Sequence, residues 1–169
     1  TLTASNLAMT FSESYHKRVL LIDADLRRPA IHKVFRLIEG PGLSDGLTST
    51  DDRKLPIHQV SPRLAVLSAG RPSSDPIAGL TSERMKRVIE EARDAFDWVI
   101  FDTPPVALLP DANLIGAMVD GAVLVVKANE TPYHLVQRAV DAIGRNRIIG
   151  TVLNRATVPT RGEGYYSYY

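Results

Sequence analysis

Hydrophobic positions along the chain fall into two recurring patterns. Ala4, Leu7, Ala8 and Phe11 stand at i, i+3, i+4 and i+7, so the first dozen residues are predicted to form a helix with one buried face. Residues 19–22, 64–67, 98–101, 122–126 and 148–153 are instead apolar almost throughout and partly β-branched. Short runs of that kind read as strands of a parallel sheet buried on both faces. Two more helical stripes lie between the later runs. Met85, Val88, Ile89, Ala92 and Phe96 make one, which Thr81 or Ser82 caps, with Glu83 in its first turn. Leu135, Val136, Ala139, Val140 and Ile143 make the other, entered through Thr131-Pro132. Strands alternating with helices predict an α/β fold, a parallel sheet flanked by helices. The stretch from about Glu39 to Pro62 is rich in Gly, Pro, Ser and Asp and is expected to be irregular. With no repeat and no linker, residues 1–160 read as one domain and 161–169 as a flexible tail.

Composition narrows the possibilities without choosing among them. The 169 residues, 44% hydrophobic and 23% charged, suit one globular domain with a substantial core. A net charge of +1 argues against a nucleic-acid partner. The absence of cysteine excludes disulfides, thiolate zinc sites and cysteine nucleophiles, and fits the cytosol. No apolar run approaches the roughly 18 residues needed to cross a bilayer, and no signal peptide is visible, so a soluble chain is expected. The chain opens at Thr1, without an initiator methionine and directly in a helical pattern, so its natural N-terminus is expected upstream.

Candidate chemistry sits where strands end. In open parallel sheets, ligands bind beyond the carboxyl ends of the strands. The run 19–22 leads into Asp23-Ala24-Asp25, whose two carboxylates share one side of an extended chain. The run 98–101 leads into Asp102-Thr103-Pro104-Pro105. Three such aspartates suit a hard divalent cation that keeps most of its waters. The plainer reading of any one of them is a helix cap or a turn residue. Two such strand ends in one small chain weigh against that reading.

The residues 20–27, Leu-Leu-Ile-Asp-Ala-Asp-Leu-Arg, resemble the second Walker motif (A′) of bacterial tyrosine kinases of capsule and exopolysaccharide biosynthesis. Residues 99–105, Val-Ile-Phe-Asp-Thr-Pro-Pro, resemble their Walker B motif. The likeness continues through Gly42-Leu43-Ser44-Asp45, Ser82-Glu83-Arg84-Met85, Asp111-Ala112, Val119-Asp120-Gly121, Thr131-Pro132 and Val152-Leu153-Asn154-Arg155. Cell-division and partitioning ATPases of the MinD and ParA type share looser versions of these motifs, without the Arg27-Arg28-Pro29 continuation or the tyrosine tail.

That resemblance implies a P-loop NTPase-like domain lacking its first strand and most of its phosphate loop. Thr1 stands where the loop's closing Gly-Lys-Thr has its threonine. The backbone amides and lysine that cradle the phosphates would then precede this chain, which alone is expected to be inactive. It further implies ATP and Mg2+ as cofactors. Thr1 and Asp25 would hold the metal, Asp102 would bind it through a water, and Asp23 would accept the proton of the attacking tyrosine. A phenol of pKa about 10 needs such help at neutral pH. Asn154 resembles the asparagine that reads adenine, and Arg155 would stack on the base; a plain turn residue is the alternative for Asn154. Arg27 and Arg28 pair with phosphate or a neighbouring subunit, or form a solvated loop.

Tyr165, Tyr166, Tyr168 and Tyr169 are four of the chain's six tyrosines. A glycine-flanked tail of this kind reads by itself as a sticky, unpacked end. The resemblance makes the cluster the autophosphorylation site. Full modification would bring the tail to roughly −6 to −8 charges, enough to repel a neighbour's anionic ATP site. The expected activity is therefore an ATP-dependent protein-tyrosine kinase regulating polysaccharide synthesis and export. The implied partners are an inner-membrane polysaccharide co-polymerase or activator, fused or separate, and further copies in a ring. Its expected place is the cytoplasmic face of the plasma membrane. A MinD/ParA-type ATPase switch without kinase activity is the alternative, and a non-catalytic transporter partner is a third.

Overall fold

A computed structural model describes residues 1–49, 55–106 and 109–156. The chain runs through α1 (Leu2–Glu13), β1 (Val19–Asp23), α2 (Ile31–Val34), α3 (Leu43–Thr48), β2 (Ile57–Ser61) and β3 (Leu64–Leu67). It continues through α4 (Pro76–Leu80), α5 (Glu83–Ala95), β4 (Trp98–Asp102), α6 (Asp111–Gly116), β5 (Ala122–Lys127), α7 (Tyr133–Ile143) and β6 (Ile148–Asn154). All five apolar runs form strands, and all three helical stripes form helices. Ser82 caps α5, its side chain accepting from the Met85 amide.

Four strands form one sheet in the order β2-β3-β1-β4, and β5 and β6 pair separately. β1 is parallel to both β3 and β4. Every residue of β1 is buried, and the period of two divides them between two cores. Leu20 and Ile22 join Met85, Val88, Ile89 and Ala92 of α5 on one face. Val19 and Leu21 join Ala8 of α1 and Ile31 on the other. Helices thus cover both faces, as apolar strands demand. Each buried Leu or Ile contributes on the order of 1.5–3 kcal/mol of transfer free energy.

Three expectations need correcting. The stretch 39–62 is not wholly irregular, for it holds α3 and β2. At the start of α3, Gly42 is pressed onto the end of β3, where a Cβ would come within 2.3 Å of the Ser68 carbonyl oxygen. The Leu43 and Ser44 amides donate to the Ser68 and Ala69 carbonyls at 2.9 and 2.8 Å. β2 runs antiparallel to β3, so the sheet is mixed. Third, α1 buries only part of the predicted face. Its buried residues are Ser5, Ala8 and Ser12, a stripe of small side chains that lets the helix sit close to the sheet. Ala4, Leu7 and Phe11 are half-buried; Ala4 and Phe11 pack against the core around Ala8, and all three also border an open cavity.

Among the described residues no helix is long and apolar enough to cross a membrane. The tail 161–169, with its four tyrosines, lies outside the described residues, as does the proposed boundary at 160.

Candidate functional site

The register of the sheet sets the site. β1 and β4 pair so that Asp23 lies opposite Asp102, which brings both carboxylate-bearing ends level. The Ala24 amide donates to the Asp102 carbonyl at 2.8 Å, tying the chain leaving β1 to its neighbour. α1 starts above this point. The Thr1 hydroxyl donates to Asp102 Oδ2 at 2.6 Å, and the Thr1 amino nitrogen lies 2.9 Å from Oδ1. Thr1 and Asp102, 101 positions apart in the chain, are therefore in direct contact.

The two aspartates of the Asp-x-Asp pair do different work. Asp23 is fully buried. Its Oδ2 accepts from the Ala30 and Ile31 amides at 3.0 and 2.9 Å, and its Oδ1 accepts from the Asp25 amide at 3.2 Å. Burial pushes its carboxyl above the ordinary range. The amides of Ile31, Ala30 and Asp25 oppose that rise and the nearby Asp102 charge adds to it, with desolvation the largest influence. Asp25 is half-buried, and its Oδ1 accepts from the Arg27 and Arg28 amides at 3.2 and 2.9 Å. So Asp23 closes the 24–31 loop from inside, and Asp25 faces outward.

Thr1, Asp25, Asp102 and Asn154 line one cavity of about 580 Å3. Asn154 ends β6, with its Oδ1 accepting from the Arg155 amide at 2.9 Å. Arg155 itself is exposed in the left-handed region (φ 57°), and neither it nor Asp23 lines the cavity. Below the strand ends, the same cavity runs down between β4 and β5. Among the described residues β4 pairs only with β1, and β5 only with β6, so two parallel strand edges face this space. Phe11 of α1 stacks on Trp98 at its lower end, with ring centroids 4.4 Å apart.

A magnesium ion fits the donors gathered here, a hydroxyl and two carboxylates. Among the described residues there is no group of three or more His, Cys, Asp or Glu that could hold a metal on its own. Mg2+ takes one or two carboxylates and fills its remaining positions with water and substrate phosphate.

Sequence reasoning left one interaction unseen. Arg27 Nε donates to Asp111 Oδ2 at 2.8 Å, and its Nη2 donates to Oδ1 at 3.2 Å. Asp111, the first residue of α6, is fully buried. The available signal was a carboxylate set among apolar residues shortly after the β4 motif, but nothing in the sequence named its partner.

No family model matches the chain. Tyrosine-protein kinase YwqD of Bacillus subtilis is 36% identical over 168 residues, covering 97% of this chain and 70% of that protein. The solved kinase domain of Escherichia coli tyrosine kinase Etk superposes with a TM-score of 0.84 at 30% identity, covering 98% of this chain and 66% of that one. Septum site-determining protein MinD of Pyrococcus horikoshii, solved with Mg-ADP, shares the fold alone. Its TM-score is 0.67 at 16% identity, with 89% of this chain and 62% of that one covered. Carboxylates at paired strand ends, the helix set above them and this likeness along nearly the whole length agree: the chain belongs to the bacterial tyrosine-protein kinases.

Proposed function

We propose that this domain transfers the γ-phosphoryl group of ATP to tyrosine hydroxyls, first among them Tyr165, Tyr166, Tyr168 and Tyr169 of another copy, and so regulates capsule or exopolysaccharide assembly. The observation that carries the proposal is the single cavity joining Thr1, Asp25 and Asp102 to Asn154. Asn154 takes the adenine there, with Arg155 beside it, and the three oxygen-bearing residues take the metal. Bound Mg2+ would neutralise charge on the phosphates, the main need of phosphoryl transfer. The hydrogen bond from Thr1 to Asp102 holds both groups on one side of that position.

Asp23 is the proton acceptor in this reading, and its raised carboxyl favours that role. Its full burial means that a phenol reaches it only when the loop closed by the Ala30 and Ile31 amides moves. A strand ahead of Thr1 would fill the gap between β4 and β5. Running parallel to both, it would deliver the chain to the carboxyl ends of the strands, where Thr1 stands. The Gly-rich phosphate loop belongs at that junction. An inner-membrane polysaccharide co-polymerase or activator, fused or separate, and a ring of copies complete the proposed assembly at the cytoplasmic face.

The test supplies the phosphate loop ahead of Thr1, adds ATP and Mg2+, and maps the tail by mass spectrometry. Phosphotyrosine in 165–169 is expected, falling by about 100-fold or more in Asp102→Asn, the scale of losing one preorganised electrostatic contact. Steady ATP hydrolysis with unmodified tyrosines would replace the kinase with a MinD-like switch.

A further inference from the structure

We propose that Arg27 is a positioning residue of the metal site: its guanidinium, anchored on the buried carboxylate of Asp111, holds the turn whose amides aim Asp25 into the cavity. The inference rests on the magnesium reading above and adds to it a residue that touches neither metal nor nucleotide.

The bridge joins two loops that the sheet leaves free. Arg27 lies on the loop after β1, and Asp111 opens α6, which follows the loop after β4. Asp111 is wholly buried, whereas the Arg27 side chain keeps 36% of its surface in solvent. A buried carboxylate needs a partner of matched geometry, and the planar guanidinium supplies two parallel donors. Contact with Asp111 accordingly raises the already high pKa of Arg27. Arg27 is a charged strut and remains one at any physiological pH.

Its backbone does the aiming. The Arg27 and Arg28 amides both donate to Asp25 Oδ1, which leaves Oδ2 as the oxygen to meet a cation. Leu26, between Asp25 and Arg27, is buried, and its carbonyl accepts from the Ser73 amide at 2.9 Å. Asp23 pins the far end of the loop through Ala30 and Ile31. Release of Arg27 from Asp111 therefore loosens the Asp25 turn at its Arg27–Arg28 side, while the Leu26 and Asp23 anchors stay. Lysine keeps the charge but cannot form the fork, so Arg27→Lys separates charge from geometry.

The experiment has two readouts. In the 169-residue chain, amide hydrogen exchange is compared for wild type, Arg27→Lys, and the paired Arg27→Leu/Asp111→Leu variant, which leaves no orphan charge. The Arg28 amide is expected to exchange about tenfold faster in both variants, while the Ile31 amide and the β1 amides hold their wild-type rates. With the phosphate loop supplied ahead of Thr1, Mn2+ binding in the presence of ADP is followed by electron paramagnetic resonance. Both variants are expected to weaken it by about tenfold, the lower end of losses for groups that orient metal ligands. Unchanged Arg28 exchange, or unchanged Mn2+ affinity against faster exchange, overturns the proposal and leaves Arg27 a strut of the fold. ADP binding indifferent to Mn2+ in the wild type overturns the magnesium reading, and this inference with it.

Discussion

The two sheets of this domain are built to different standards. β1 is buried at every position, and so is β3. β6 has no buried residue, β5 buries only Leu124, and α7 buries only Ala139. Yet the candidate site draws on both, with Asp25 and Asp102 at the strand ends of the first sheet and Asn154 on the second. Asp25 thus follows a strand covered on both faces, whereas Asp102 on β4 and Asn154 on β6 border the open space between the sheets. In the proposed function, nucleotide chemistry would depend on whatever docks the second sheet against the first.

The contrast can be broken most forcefully by truncation. Leu21→Ala removes a wholly buried side chain from β1 and is expected to cost about 2–5 kcal/mol in urea unfolding. Leu153→Ala, at a position 60% exposed, is expected to stay within about 0.5 kcal/mol. Equal losses would mean that β6 is packed as tightly as β1. Next in size is the local tie between the halves. Arg147 Nη1 donates to the Gly116 carbonyl at 2.9 Å, linking the turn before β6 to the end of α6. Arg147→Ala should lower hydrogen-exchange protection in β5 and β6 by about 1 kcal/mol and leave β1 untouched.

The smallest effect sharpens the comparison at the base of the first sheet. The Arg18 amide and guanidinium donate to Asp97 at 2.8 and 3.1 Å and hold its carboxyl below the ordinary range. A carboxyl lowered by folding adds stability above its unfolded pKa, and that stability is lost as pH falls through the folded value. Asp97→Asn should therefore flatten the acid side of the stability profile slightly and leave neutral pH less stable by the same small amount. The pair is exposed, so salt should shrink the difference. An unchanged acid limb would show that Arg18 and Asp97 do not interact in solution.

Legibility in the sequence followed burial. Residues 19–22 and 64–67 are apolar because both faces of their strands are covered, and that requirement is written in composition. β2 escaped notice because Ile57, His58, Gln59, Val60 and Ser61 form an edge strand with no buried residue, set between Pro56 and Pro62. α3 escaped because Gly46 interrupts it and its support is tertiary, from the end of β3 and from Asp45, whose Oδ2 accepts from the Gly42 amide. In the candidate site, Thr1, Asp25, Asp102 and Asn154, which line one cavity, were nameable because strand ends and motifs locate them. Arg27 and Asp111 were not paired, since a side-chain fork between distant loops leaves no periodicity. The face of α1 was placed only in part: Ala8 lies inward as expected, Ser5 and Ser12 join it because they are small, and Ala4, Leu7 and Phe11 beside them border an open gap.

That gap carries its own reporter. Trp98 is the chain's one tryptophan; it lies at the lower end of the space between β4 and β5, 43% exposed and stacked on Phe11. Indole emission shifts to shorter wavelength as the ring loses water. Occupation of the space by a neighbouring strand would thus be visible as a change of colour in the protein's intrinsic fluorescence, with no label attached.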